Sequence, residues 1–434
     1  MRPFIPMLLA LWTCAAMSQQ APRATQTPTG DNSALEQKVR DLEDRLIQVE
    51  GELRQLKGQQ QPLAPAATGA QPVTADQIAP VPPERPEPRL GGAGAAAAKA
   101  LNPDISVIGD FISSAGRNQF NPTPAFQMHE SEIGLQAIVD PYARADFFIS
   151  FGEQGVNLEE GFITFTALPE GFLVKGGKMR AAFGKVNTLH NHVLPWVDRP
   201  LVTQNLVGGE DGIDDAGFSV QHIIPAPKNW FLELTGQAFR GDSSDVFTSS
   251  KKGDVSVVGH LRSYKDITEN SNLDLGVSYS RGHNQFGSPF LTNLYGIDAT
   301  YRWKPLQRAI YHQFVGRSEL IWRQQEQPSA AVCLAIGCPV NASSGFQRAF
   351  GFYASGDYQF ARRWFAGGRY DNSDRATNSR LNDNGGSLVL TYWPSEFAQV
   401  RAQYRLTRYA EHFDAHEVFL QLQFALGAHG AHPF

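Results

Sequence analysis

Strict two-residue alternation, repeated along most of the chain, is the feature that most limits what it can fold into. Residues 398–406 read A-Q-V-R-A-Q-Y-R-L, with Ala398, Val400, Ala402, Tyr404 and Leu406 opposite Gln399, Arg401, Gln403 and Arg405. After a polar break the pattern returns: Val418, Leu420, Leu422, Phe424 and Leu426 oppose Phe419, Gln421, Gln423 and Ala425. Successive side chains of a strand point to opposite faces, so period two means strands with one apolar and one polar face. A single such hairpin fits a soluble sandwich as well as a membrane barrel. The number of hairpins and the sorting of their connections decide between them.

Sixteen segments alternate: 105–113, 130–139, 143–152, 160–167, 172–181, 216–224, 230–239, 254–264, 272–281, 293–303, 311–323, 349–360, 363–372, 386–393, 397–407 and 416–427. Leu273, Leu275, Val277 and Tyr279 oppose Asp274, Gly276, Ser278 and Ser280. Even-numbered connections are short, such as Asp140-Pro141-Tyr142 and Pro394-Ser395-Glu396. Odd-numbered ones are mostly long: 114–129, 182–215, 240–253, 282–292, 324–348, 373–385 and 408–415. Loops sorted by length onto two rims are expected of a barrel that crosses an outer membrane, with both termini on the periplasmic side. No later stretch reaches the ~20 apolar residues of a membrane helix, so any membrane crossing must be by barrel. The expected fold is therefore all-β, a transmembrane antiparallel barrel of about 16 strands over residues 101–434, embedded in outer-membrane lipid. Lys175 is the one awkward charge on the apolar face, where Arg or Lys at mid-depth costs ~2–4 kcal/mol.

The first hundred residues read differently. Residues 1–18 have the form of a signal peptide: Arg2, a short apolar run, then small residues at Ala16-Met17-Ser18. Residues 19–58 form a periplasmic segment. Within it, Leu35, Val39, Leu42, Leu46, Val49, Leu53 and Leu56 give a coiled-coil repeat over 35–56. About three heptads span roughly 33 Å at 1.5 Å per residue, too short to stand alone, which suits an oligomerisation device on a larger body. Residues 59–100, rich in Pro and Ala, are expected to be a disordered tether.

A net charge of −5 without a basic arm or zinc-finger spacing gives no sign of a nucleic-acid partner. Cys333 and Cys338 bracket L-A-I-G in a loop; they are disulfide candidates in an oxidising compartment, with two free thiols as the alternative. The polar faces carry Lys178, Arg180, Arg262, Arg302, Arg317, Arg323, Arg369, Arg401 and Arg405, candidates to line a pore. Against them stand Glu132, Asp146, Asp274, Asp298, Glu319, Asp357 and Asp371. Guanidinium rings draw anions, but cross-strand ion pairs would consume many of these charges. Residues 182–215, with Lys185, His190, His192, Asp198 and Arg199 as constriction candidates, either fold into the lumen or pack outward on their neighbours. No group of histidines shows three ligands at a metal-binding spacing, so neither metal nor cofactor is expected. No nucleophile elbow or P-loop is present, and no enzymatic activity is expected.

The run Gly176-Gly177-Lys178-Met179-Arg180-Ala181-Ala182-Phe183-Gly184-Lys185-Val186-Asn187 resembles the phosphate-selective porin (O/P-type) family, in which a strand V-G-(K/Q)-F-x-x-P-F-G leads into a long loop near an Asn. Trp196-Val197-Asp198-Arg199-Pro200 is similar to its F-x-E-R segment, and residues 212–219 to the strand that follows. Phe434 is similar to the terminal aromatic of outer-membrane proteins. The resemblance implies a homotrimeric sixteen-strand porin passing small solutes, anions such as phosphate among them. The alternative is a barrel-anchored structural or interaction protein whose coil links the outer membrane to the cell envelope.

Overall fold

The computed structural model describes residues 103–152, 155–227, 229–243, 245–328 and 345–427. The expected signal peptide, coil and tether, the Cys333–Cys338 pair and Phe434 lie outside the described residues. Sixteen strands follow one another: β1 (Asp104–Arg117), β2 (Phe126–Asp140), β3 (Ala143–Gly152), β4 (Gly155–Phe165), β5 (Leu173–Arg180), β6 (Asp214–Ile224), β7 (Trp230–Phe239), β8 (Ser256–Thr268), β9 (Ser271–Asn284), β10 (Gly287–Trp303), β11 (Gln313–Gln325), β12 (Gln347–Ala361), β13 (Trp364–Arg375), β14 (Asn378–Ser395), β15 (Ala398–Tyr409) and β16 (Phe413–Gly427). Each pairs antiparallel with its sequence neighbour, and β1 pairs with β16 from Ser106↔Gly427 to Arg117↔His416, closing the sheet. Closure leaves no unpaired edge, the condition for a sheet to sit in hydrocarbon. Among the described residues no helix is long and apolar enough to cross a membrane.

The faces divide as the alternation requires. Gln399, Arg401, Gln403 and Arg405 are buried inside, whereas Val418, Leu420, Leu422 and Phe424 are exposed outside. Two aromatic girdles bound the exposed apolar band. One, at the rim where β1 starts and β16 ends, includes Trp364 and Tyr392, tilted rings with centroids 4.6 Å apart, and the exposed Tyr301 and Phe397. The other includes the Tyr279–Tyr295 and Trp322–Phe350 pairs at 5.3 and 5.1 Å. An apolar band between aromatic girdles is the exterior of an outer-membrane barrel.

Two sequence expectations need correction. The connections near 282–292, 373–385 and 408–415 are not long loops. The strands run on as hairpins, with only residues 285–286, 376–377 and 410–412 turning between them. Beyond the lipid the outward positions need not be apolar, so polar sequence there still pairs, as in Asn372↔Asn384. In β5 the parity is inverted. Lys175 pairs with buried Thr164 and sits over the ring of inward-facing Phe162 at 4.5 Å. Lys178 pairs with Gly161 and Ala216 on the outer face and turns over the rim to Asp214 at 2.9 Å. The Gly176-Gly177 pair offers no side chain from which the faces could be read. No lysine of β5 therefore meets lipid at mid-depth.

The long connection 181–213 folds into the barrel. Its neck is closed by the Ala181 N–H to Ile213 carbonyl bond, 2.8 Å. Asn187 donates from Nδ2 to the carbonyls of Ala181 and Ile213 and accepts the Ile213 N–H at Oδ1. Gly212 takes φ +62°, and a Cβ there would lie 2.0 Å from Asn187 Oδ1, so only glycine fits. Within the loop, one short helix, α1 (Leu201–Leu206), lies against β12 and β13. Phe183, Trp196 and Leu206 are fully buried against inward-facing Leu294, Ile321 and Tyr353. Each such side chain stabilises the loop by roughly 1.5–3 kcal/mol through burial alone.

Candidate functional site: the loop-divided lumen

Polar anchors complete the loop's attachment around the barrel wall. The Glu319 carboxylate of β11 accepts the Lys185 and Val186 N–H groups at 2.8 and 2.7 Å. The Gly184 N–H reaches Ser278 Oγ on β9 at 2.9 Å. Asp198 is gripped by Arg369 of β13 and Arg405 of β15 at 2.8 and 2.9 Å, and Gln403 donates to its other oxygen. Asn205 donates to Asp383 of β14, and Gln423 of β16 to the His192 carbonyl. Burial works to raise the Asp198 pKa, but the two guanidinium groups win and hold it down at about 2. Arg199 is turned wholly onto its own loop, donating to Asn191 Oδ1 and to the carbonyls of Val186 and Leu189. Burial, followed by repulsion from Arg180, lowers its pKa to about 10.

Among the described residues a cavity lies on each side of the loop. On the side of the longer connections is one of about 750 Å³, lined by Glu130, Glu159, Asp198, Glu210 and Asp211 with Arg180 and Arg405. On the side of the termini is one of about 130 Å³, lined by Lys185, Arg302, Arg317 and Arg401 with Asp357 and His192. The lumen is thus acidic on one side of the loop and basic on the other.

Most of the cations expected to line a pore are engaged. Arg180 meets Glu159 at 3.1 Å and the carbonyls of Glu210 and Asp211. Arg323 donates to the carbonyls of Leu206 and Asp245, and Arg369 also meets Asp371 at 2.7 Å. Arg405 also meets Glu417 at 2.7 Å, and Arg317 pairs with Asp357. Arg262 and Lys185 converge on Asp274, with Arg302 at 3.9 Å. Arg401 donates to Gln421. Of the set, Arg302, Arg317 and Arg401 share the smaller cavity with Lys185 of the loop, while Lys178 faces outward.

The two loop histidines meet carboxylates that sequence reasoning did not single out as a cluster. His190 Nδ1 lies 2.8 Å from Glu132 and 3.0 Å from Glu159, its Nε2 lies 2.8 Å from Glu160, and His192 Nδ1 lies 3.7 Å from Glu132. Burial opposes the charged imidazolium, yet Glu132, Glu159 and Glu160 together raise the His190 pKa well above its ordinary value. A signal was present: Glu130 and Glu132, two apart in a strand, must share a face. Nothing in the sequence said that this face meets residues 190–192.

No family model matches the chain. An uncharacterized protein of Aquifex aeolicus (strain VF5) is 29% identical over 396 residues, covering 77% of this chain and 81% of that protein. Among solved structures, the anion-selective porin from Comamonas acidovorans aligns with a TM-score of 0.52 at 10% identity, covering 75% of this chain and 99% of that one. Salmonella typhi OmpF, in complex with daunomycin, aligns with a TM-score of 0.50 at 8% identity, covering 76% and 99%. At these identities the likeness is one of fold. The chain has the fold of the outer-membrane porins, and its lipid-facing exterior places it in an outer membrane.

Proposed function

We propose that this barrel is an outer-membrane porin through which small hydrophilic solutes pass by diffusion, with loop 181–213 as its constriction. The observation that carries this reading is the loop itself: anchored from β9 to β16, it leaves a charged cavity on each side. Its basic inner cavity supports permeation by small anions, phosphate among them, because Arg302, Arg317 and Arg401 keep their charge at any physiological pH. The acidic outer cavity opposes that preference, so selectivity is set by which side of the loop limits passage. The resemblance of residues 176–187 to the O/P-type porins supports the same reading, and with it a homotrimer. The heptads of residues 35–56 suit a periplasmic coil that assists assembly.

A second reading draws on the apolar cluster of Phe183, Trp196, Leu206 and Tyr353 inside the lumen. A barrel closed by that cluster would serve as an anchor, with the N-terminal segment binding an envelope component. Planar-bilayer recording separates the two. A porin gives ohmic steps, with a reversal potential in a salt gradient that reports the preferred ion. Absence of steps from folded, inserted protein would select the anchor, and a clear cation preference would reject the anion assignment.

A further inference from the structure

The loop histidines and the β2 carboxylates have an arrangement that hydrogen bonding alone leaves incomplete. Glu130, Glu132, His190 and His192 can each direct one ligand atom into a space where all four atoms lie within 4.8 Å of one another, and all four residues are buried. Glu130 is only 6% exposed, and neither of its carboxylate oxygens has a hydrogen-bond partner among the described residues. The charged groups acting on it are the carboxylates of Glu159 and Glu132, opposed only by His129. Two acids in contact need a shared proton or a cation between or beside them, and here the imidazoles of His190 and His192 reach the same space, which a proton between the acids would not use. Arg180 serves Glu159 at 3.1 Å and leaves Glu130 unserved.

We propose that Glu130, Glu132, His190 and His192 bind one divalent transition-metal ion, of the zinc or cobalt type, that pins the constriction loop to β2. Two imidazoles with two carboxylates suit such an ion, whereas magnesium and calcium prefer oxygen alone. The spacing fits after small adjustment. A tetrahedral ion with bonds of about 2.0–2.1 Å separates its ligand atoms by roughly 3.3 Å, and the His190 and His192 Nδ1 atoms stand 2.8 and 3.7 Å from Glu132 Oε2. Glu160 accepts from His190 Nε2 at 2.8 Å, the carboxylate support that orients a ligating imidazole. The ion takes the place of the proton that His190 Nδ1 shares with Glu132, so each ion bound releases that proton, and affinity falls with acidity.

The test uses the full-length folded barrel in detergent, stripped with chelator and titrated with Co²⁺. The expected result is one ion per chain, with visible d–d absorption of a nitrogen–oxygen site. His192→Ala and Glu130→Gln are each expected to lower affinity at least tenfold, and Glu160→Gln about 10–100-fold. The double variant His429→Ala/His432→Ala is expected to bind like the wild type. Should a site variant fail to fold, the wild type alone decides, since Zn²⁺ must slow proteolysis within residues 185–213. Binding below one ion per chain, loss of binding only in the tail variant, or a loop cleaved equally fast with and without Zn²⁺ would overturn the proposal. None of these measurements depends on whether the barrel conducts.

Discussion

Asp198→Asn tests the idea that the loop is held across the lumen by a few buried charges. Asp198 bridges Arg369 and Arg405 at 2.8 and 2.9 Å, and Arg369 also stacks over Trp196 at 4.7 Å. Removing one partner of a buried ion pair costs about 3–5 kcal/mol when the other charge is left alone. Here neither arginine is left alone, because Asp371 holds Arg369 and Glu417 holds Arg405. The asparagine oxygen also still accepts one bond, so the loss is reduced to about 1–3 kcal/mol of charge-assisted bonding. That raises the population of the displaced loop roughly 5–150-fold. Two readouts follow. Tryptic cleavage after Lys185 tracks the open population when opening is fast relative to cleavage, and should accelerate by that factor. Single-channel records should show added open-state noise. The folded pKa is depressed, so the contact is complete above the ordinary carboxylate value and is lost only as pH falls through about 2. The difference between variant and wild type should therefore persist unchanged from pH 5 to 8. Cleavage of the variant at the wild-type rate would refute the view that this charge cluster fixes the loop.

Gly184→Ala should destabilise the loop entry by about 1–2 kcal/mol or more, because Gly184 has φ +60° and a Cβ would lie 2.7 Å from Glu319 Oε2; the urea midpoint of the folded barrel reports it. Val277→Arg, at an exposed position of β9, should cost about 2–4 kcal/mol if it lies at mid-depth in lipid, read from unfolding out of vesicles. Arg302→Glu reverses a charge in the basic cavity without breaking a close ion pair, since Arg302 stands 3.9 Å from Asp274; the reversal potential in a potassium chloride gradient should move toward cation preference. With chelator present, the His190 contacts to Glu132 and Glu159 and to Glu160 should hold the loop evenly from pH 5 to 6. A raised histidine pKa gives stabilisation that is complete below the ordinary value and is lost as pH rises from there through the folded one. Loosening of the loop between pH 5 and 6 would contradict this.

What the sequence revealed, and what it hid, follows from which interactions are periodic. Leu275 and Val277 opposite Asp274 and Ser278 could be read directly, because lipid on one face and lumen on the other act on every second residue. The same logic failed in β5, where two adjacent glycines carry no side chain to mark the faces and Lys175 and Lys178 exchanged roles. It also failed in the protruding hairpins, where the outer face meets water instead of lipid and the apolar alternation ends although the backbone pairing does not, and inward residues such as Ser373 and Asp383 stay buried. The loop is a different matter. Asp198 was visible as a charge, but its partners lie 171 and 207 residues away, and no local spacing relates them. The same holds for His190 and Glu132, 58 residues apart. A barrel converts this long-range problem into a geometric one, since every inward side chain faces one shared axis. A loop sent down that axis meets whichever charges the inward parity has placed there. The basic residues counted on the polar faces are for this reason poor guides to selectivity. Those at the height of the loop are consumed in holding it and Arg317 is paired with Asp357, so the field in the lumen is set by the remainder, Arg302 and Arg401 on one side and the Glu130–Glu159 cluster on the other.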